Sequence, residues 1–443
     1  TTAAGFLSLI SAFLIPERHF GIFAAVGVLV AVGLSLSLVP AILSLLPFQK
    51  KKGLPGLFSF TVMPTKSFFE SFSRIVVNRR KTVLVLFVVV LLVFLVGALS
   101  IRVNTSYTAI IGKESSITRG MNSMDENFAG SQQLLVEIDT GRRDGLKDPE
   151  VLKKIDDFQE WLVSKDGLQM NRTVSLVNIV KKLNQEFHDG DSDFYAIPDN
   201  RQMVSQLLLL FSGSTGRLAL GDFSSFVITG LYPQSTSSEI NQIVESINEY
   251  FDENFDSINA RMVGSTKIQA EMSKKVVSSQ IISLVTTVLV AGLIVGLVMR
   301  SFTAGIISLV PLLSAVLINF GVMGFSSISL NLVNLIVSSI MIGIGIDYAI
   351  HLLERFQLEY EKGRDKLEIF STVLSTTGKG ILSNALALAL GFSVVGLSSF
   401  SSIITVGFLL ALSMIVSMVS TFTVIPAILF IFEPELLKRK GHG

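Results

Sequence analysis

One carboxylate stands inside an otherwise uncharged apolar run: Asp347, within Gly343-Ile344-Gly345-Ile346-Asp347-Tyr348. A charge in the bilayer interior costs at least about 2.5–3.5 kcal/mol on insertion scales, so such residues normally face a bundle interior and serve an ion or proton path. Burial disfavours the charged carboxylate, which brings proton uptake and release within reach of neutral pH. Gly343, one turn earlier, and Gly345 both let a neighbouring helix approach closely. Tyr348 can donate a hydrogen bond to a carboxylate on a facing helix. His351 lies four residues on, on the same face, and extends the path. The candidate proton relay is therefore Asp347, Tyr348 and His351. Gly343 and Gly345 are its packing positions, and Ser383 and Asn384 in the next run are its neighbours. The competing reading is structural. Asp347 lies a turn or two from the end of its run and would simply reach the headgroups, although its short side chain snorkels poorly. His351 adjoins Glu354 and a loop. Ser383, Asn384, Asn331 and Asn334 would then be helix–helix hydrogen-bonding groups, and Lys379 a membrane boundary.

The elements that must position these residues are long apolar helices. A helix needs about 20 apolar residues to cross a bilayer, and residues 82–101, 279–299, 303–323, 331–353, 380–398 and 402–432 qualify. Residues 20–46 make a seventh run, and 3–15 read as an eighth cut short. Mean hydropathy is +0.60 and only 16% of residues are charged, against about a quarter in soluble domains. Charge is dense only between residues 102 and 278, which hold 18 basic and 25 acidic residues.

Basic residues recur in every second connection, which sets the orientation. Lys50-Lys51-Lys52 and Arg79-Arg80-Lys81 flank one linker, and Arg300 sits in a tight turn. Arg355, Lys362, Arg364, Lys366 and Lys379 share another loop, and Lys438-Arg439-Lys440 close the chain. All of these are assigned to the cytoplasm, which leaves residues 102–278 extracytoplasmic. The linker mixes Phe58, Phe60, Phe68, Phe69 and Phe72 with Lys66, Glu70 and Arg74. It reads as an interfacial amphipathic helix, with a regulatory or partner-binding role as the alternative.

An internal repeat underlies this layout. With a constant shift of 386 positions (391 − 5), Gly5-Phe6 falls on Gly391-Phe392, Gly21 on Gly407 and Ala25 on Ala411. Pro40-Ala41-Ile42-Leu43 then falls on Pro426-Ala427-Ile428-Leu429. Residues 1–49 are read as the last two membrane helices of a first repeat, truncated, and 50–81 as a cytoplasmic linker. Residues 82–101 open the second repeat and 102–278 form its extracytoplasmic domain. Three membrane helices follow in 279–353, a cytoplasmic loop in 354–379, two more helices in 380–432 and a cytoplasmic tail in 433–443. The start at Thr1, without Met or a basic leader, reads as a cut.

In the extracytoplasmic domain, Gln132–Thr140 alternates like a strand and Pro149–Ser164 has helical spacing. Phe223–Tyr232 is again strand-like. Ser237–Phe255 is a helix opened by Ser237, Ser238 and Glu239, with Ile240, Ile243, Ile247 and Tyr250 on one face. Arg261–Ile268 reads as a closing strand. Such strand–helix–strand units around a helical middle (175–211) give a ferredoxin-like α/β domain. Asp189, Asp191 and Asp193 lack the Gly and closing Glu of a calcium loop and read as a solvated turn. Ser212-Gly213-Ser214-Thr215-Gly216 reads as a flexible hairpin, and Trp161 as a core or interface anchor.

Several function classes are excluded. The chain has no nucleophile elbow, zinc-protease helix or phosphate loop, so an enzyme is disfavoured and no cofactor is expected. No cysteines and four scattered histidines leave no metal centre in view. A net charge of +1 gives no basic surplus for nucleic acid.

Taken together, Gly343–Tyr348, Thr376-Thr377-Gly378-Lys379-Gly380 and Pro426-Ala427-Ile428-Leu429 resemble the second half of the resistance–nodulation–division (RND) superfamily. The hydrophobe/amphiphile exporters and MmpL-like lipid transporters, which share a core with sterol-sensing-domain proteins, are most similar. The order of one span, a porter domain and five spans matches over essentially the whole chain. The resemblance implies proton-motive-force-driven movement of lipids or amphiphiles out of a cell (inner) membrane, handled by the porter domain. It also implies that Asp347-Tyr348 is one of two relay pairs, its mate lying in the missing N-terminal half, on the same or a separate chain. Two alternatives stay open: a lipid- or sterol-binding sensor without proton coupling, and an accessory subunit of protein export. Substrate identity is not legible, and a homo-oligomer is left open.

Overall fold

The computed structural model describes residues 2–11, 15–45, 66–211, 222–255 and 258–433. The expectations for Lys50-Lys51-Lys52, Phe58, Phe60, the 212–216 hairpin and Lys438-Arg439-Lys440 lie outside the described residues. The chain divides into two units, Thr1–Arg102 with Val276–Gly443, and Val103–Lys275. Six helices among the described residues are long and apolar enough to cross a membrane by length and composition.

The first unit begins with α1 (Thr2–Leu7), a 3-10 turn at Ser8–Ser11 and α2 (Ile15–Leu45). A Cβ on Gly21 would lie 2.5 Å from the Phe6 carbonyl oxygen and 2.6 Å from Leu9 Cβ, so only glycine permits this crossing. Beyond Ala25 the face of α2 is apolar and exposed, Leu36 being 76% exposed, as a surface that meets lipid would be.

Helix α3 (Lys66–Asn78) leads into α4 (Arg80–Leu99). An interfacial helix was expected over the linker. Residues 54–65 lie outside the described residues, and the remainder puts one face against protein. Phe69 and Val76 join a buried cluster with Phe356, Phe370 and Phe430, while Phe68 and Ile75 stay exposed.

The second unit opens with α5 (Tyr107–Ile111) and α6 (Ser116–Asn127), each with its first turn capped by a serine, Ser106 and Ser115. Strand β1 (Gln132–Asp139) precedes α7 (Pro149–Ser164), β2 (Arg172–Val174), α8 (Leu176–Phe187) and α9 (Arg201–Phe211). Then come β3 (Ser225–Tyr232), α10 (Ser237–Asn254) and β4 (Asn259–Val263). The strands make one sheet in the order β2-β3-β1-β4 with every neighbouring pair antiparallel. Val136 pairs with Ile228 on one side and Met262 on the other.

Alternation along β1 sends Leu134, Val136 and Ile138 into a core shared with α7 and α10. Of the residues expected on the inner face of α10, Ile240, Ile243 and Ile247 are buried; Phe251, next to the half-buried Tyr250, continues that face. The cap of α10 is Thr236, one residue before the predicted start, and Glu239 returns its side chain to the Thr236 N–H at 2.6 Å. Trp161 is half-buried and packs against the core, its ring 4.5 Å from that of Tyr250. Burial pushes the Tyr232 phenol up from its usual range, and its hydroxyl sits 2.9 Å from Thr266 Oγ1.

The closing strand is shorter than the expected 261–268. It ends at Val263, and Gly264, at φ +79°, turns the chain into α11 (Gly264–Val298). Residues 264–268 therefore belong to a helix.

The first unit resumes with α12 (Phe302–Phe325), α13 (Ile336–Tyr360) and α14 (Lys366–Val373). A π-helical turn at Leu374–Gly378 leads into α15 (Lys379–Val395), and α16 (Ser401–Phe432) closes the described chain. Helices α4 and α12 cross where Gly97 meets Gly321 and Gly324, too close for a Cβ on Gly321, whose Cβ would lie 2.5 Å from the Phe94 carbonyl oxygen. The α15–α16 pair repeats the α1–α2 contact. A Cβ on Gly407 would lie 2.7 Å from the Phe392 carbonyl oxygen and 3.0 Å from Val395 Cβ. Each partner stands 386 positions from its counterpart (407 − 21, 392 − 6, 395 − 9), and Pro40 and Pro426 sit inside their helices at the same shift.

Candidate functional site

Helix α13 carries Asp347 at its middle, and its two sides meet different neighbours. On the Gly343–Asp347 side lies α1, running antiparallel. Gly5 and Gly343 touch so closely that a Cβ on Gly5 would fall 2.3 Å from Gly343 Cα. One turn away the Thr2 hydroxyl donates to Asp347 Oδ2 at 2.7 Å. Asp347 is half-buried at this crossing. The missing side chains at Gly5 and Gly343 are what bring a hydroxyl on α1 within bonding distance of an acid on α13.

The opposite side of α13 faces α12 and α16 through buried polar groups. Ser417 donates to the Gly345 carbonyl at 3.2 Å, and a Cβ on Gly345 would collide with the Ser417 hydroxyl at 2.9 Å. Asn319 of α12 donates through Nδ2 to the Leu409 carbonyl at 3.2 Å and approaches Met341 Sδ at 3.3 Å and the Ser413 hydroxyl. Its Oδ1 is buried with no hydrogen-bond partner among the described residues. Ser314 donates to Ser420 at 3.0 Å. In the turn just before α13, Asn331 donates to Ser402 at 3.1 Å while its backbone N–H bonds Asn334 Oδ1 at 2.9 Å.

Tyr348 is buried, and its hydroxyl points at Met414 Sδ, 3.8 Å away on α16. The acceptor is thus a weak thioether on the same side as Gly345, not the carboxylate expected on a facing helix. His351 is exposed one turn beyond Asp347. Ser383 is half-buried and Asn384 exposed on α15, which packs along α16. Asp347 and Gly343 are thus brought together with α1, Gly345 and Tyr348 with α16, and Asn384 with neither.

Two partners escaped the sequence reading. Thr2 carries no local signal, because its role depends on a contact 345 positions away. The row Ser413, Ser417, Ser420 and Thr421 was legible in principle: hydroxyls four and three or four apart, in a helix otherwise apolar, lie on one face.

Beyond the apolar part of α13, Glu359 is buried, its side chain 1% exposed, among Arg355 (2.8 Å), Lys362 (2.8 Å) and Arg364 (3.6 Å). The hydrogen bond from Lys362, with the charges of Lys362, Arg355 and Arg364, holds its carboxyl below the usual glutamate range. In the second unit, the acidic run at Asp189–Asp193 is a capped turn in which Asp191 accepts from the Asp193 N–H at 3.0 Å. No group of three His, Cys, Asp or Glu among the described residues is arranged to hold a metal ion.

A polytopic helical protein with an acid in the apolar part of an inner helix and an inserted α/β domain defines a class of membrane protein. Residues 228–440 match the MMPL family model, and over that stretch the chain is similar to MMPL-family membrane proteins. It is 23% identical over 374 residues to the membrane protein MJ1562 of Methanocaldococcus jannaschii, covering 81% of this chain and 93% of that one. It is 40% identical over 63 residues to the membrane protein YdgH of Bacillus subtilis, 14% of this chain and 7% of that one. Its fold is similar to the cryo-EM structure of the hedgehog release protein Disp from the water bear Hypsibius dujardini. There the TM-score is 0.58 at 14% identity, over 98% of this chain and 57% of that one. The chain thus spans little more than half the length of that structure.

Proposed function

We propose that this chain is the second half of a proton-motive-force-driven transporter that moves hydrophobic or amphiphilic molecules out of a membrane. The observation that carries the reading is the seat of Asp347: an acid on α13, half-buried at a glycine crossing, with the Thr2 hydroxyl on one carboxylate oxygen. A proton arriving on Asp347 removes a charge from this crossing and a strong acceptor from Thr2, so the packing of α1 on α13 feels protonation. A charge crossing 100 mV carries about 2.3 kcal/mol, comparable to such a change in packing. Tyr348 and His351 are the proposed companions of Asp347 on α13.

Residues 102–278 are proposed as the extracytoplasmic porter domain. The β2-β3-β1-β4 order, antiparallel throughout, with helices joining β1 to β2 and β3 to β4, supports a ferredoxin-like reading of it. The shared 386-position shift supports a working unit of two repeats, the other supplied on the same or a separate chain. Lipids or lipid-like amphiphiles are the proposed cargo, and no enzymatic step is assigned.

The test is transport of a fluorescent lipid by the complete protein in proteoliposomes under an imposed proton gradient. Asp347→Asn should abolish gradient-driven movement while leaving assembly unchanged; movement that persists removes the relay assignment. A lipid or sterol sensor of similar core would bind its ligand equally with the gradient collapsed.

A further inference from the structure

The turn between α11 and α12 borders a cavity that the relay does not use. It measures about 620 Å³ and is lined by Leu289, Leu293 and Leu297 of α11, and by Phe302, Ile306 and Leu309 of α12. Pockets for small ligands have about this size. Glycines shape it. A Cβ on Gly305 would meet the Gly292 carbonyl oxygen at 2.7 Å, which fixes how closely the helices cross. At Gly296 nothing but the Ser301 carbonyl oxygen, 3.8 Å off, would meet a Cβ. The groove is therefore open at a position where most side chains would fill it.

The lining is almost wholly apolar except at one end, where Arg300 and Ser301 stand. Arg300 is exposed and sits at φ +47°, in the left-handed position that ends a helix. The Ser301 N–H reaches back to the Gly296 carbonyl at 2.9 Å and the Arg300 N–H to Leu297 at 3.2 Å. This is a helix stop whose left-handed residue is usually glycine. With arginine in it, a guanidinium is held at the mouth of an apolar slot on a membrane helix pair.

We propose that this groove binds an anionic phospholipid from the leaflet beside the α11–α12 turn, one acyl chain lying over Gly296 and the phosphate meeting Arg300. The occupant follows from the two ends. An apolar channel on the outside of two membrane-crossing helices meets acyl chains, and arginine matches phosphate in charge and geometry. The inference rests on the membrane-spanning reading of α11 and α12 alone and does not require proton coupling.

The experiment is native mass spectrometry of the purified full chain after equilibration with equimolar phosphatidylglycerol and phosphatidylcholine. The wild type should retain phosphatidylglycerol at least threefold over phosphatidylcholine. Gly296→Leu should fill the groove and lower retention of both lipids several-fold. Arg300→Gln should keep a bound lipid and lose the preference. Size-exclusion and thermal unfolding check folding; if Gly296→Leu fails them, Ile306→Trp at an exposed lining position takes its place. Equal retention of the two lipids by the wild type, or undiminished phosphatidylglycerol on the groove-filled variant, overturns the proposal.

Discussion

The hydroxyl of Thr2 donates to Oδ2 of Asp347 at 2.7 Å, across 345 positions of sequence. An acid on an apolar helix is thereby tied to a helix from the opposite end of the chain. Thr2→Val keeps the side-chain shape and removes the donor. It should lower stability by about 1 kcal/mol, the usual net contribution of one intramolecular hydrogen bond. Thermal unfolding in nanodiscs measures this. In the transport assay Thr2→Val should be milder than Asp347→Asn; equal losses would mean that the bond itself, not the proton, controls the cycle.

The glycine crossing beside that bond is asymmetric, and so should its variants be. A Cβ on Gly5 lands 2.3 Å from Gly343 Cα, which is backbone and cannot yield, whereas a Cβ on Gly343 meets nothing nearer than the Thr2 carbonyl oxygen at 3.3 Å. Gly5→Ala should therefore cost more than Gly343→Ala, with overpacking in the range of about 1–3 kcal/mol for the first and less for the second. Thermal midpoints of the two single variants, compared under one condition, decide it; the reverse order would contradict the close approach.

Much of this architecture was legible because the membrane imposes long uncharged runs that few other settings tolerate. Asp347 stood out for the same reason, being an acid where only apolar residues were expected. Strands β1 and β3 were legible through alternation, and α10 through its isoleucine spacing. The end of β4 was missed because 261–268 alternates plausibly, while Gly264 breaks it by backbone conformation rather than polarity. The direction of Tyr348 was not legible because a phenol's donor chemistry does not say which neighbour it meets, and the packing of α13 on α16 points its hydroxyl at Met414. The docked face of α3 was missed because an amphipathic helix looks the same whether its apolar side meets lipid or Phe370.

The charge cluster after the apolar part of α13 carries a pH dependence. The Glu359 carboxyl is held below its ordinary value of 4.5 by Lys362 first, then by Arg355 and Arg364. A lowered folded-state value means that its contribution to stability is fully present above about pH 4.5. That contribution is lost as pH falls through the lower folded-state value. Thermal midpoints followed from pH 7 to pH 3 should therefore drop in the wild type on acidification. Glu359→Gln should start lower at pH 7, with Arg355 and Lys362 left without their carboxylate, and flatten that part of the curve. A variant whose acid limb matches the wild type would assign the dependence to other carboxylates.

Tyr348→Phe separates packing from proton handling. Tyr348 is 1% exposed, and among the described residues its hydroxyl bonds the Met414 sulfur at 3.8 Å. Thioethers are weak acceptors, so deleting the hydroxyl should change stability by under about 0.5 kcal/mol, below the range of ordinary hydrogen bonds. If the phenol takes part in the relay proposed around Asp347, gradient-driven transport should nevertheless fall tenfold or more in the complete protein. Unfolding midpoints and transport rates measured on the same preparations make the two effects distinguishable. A variant that is stable and transports at the wild-type rate leaves Asp347 as the proton carrier and reduces Tyr348 to a packing residue between α13 and α16.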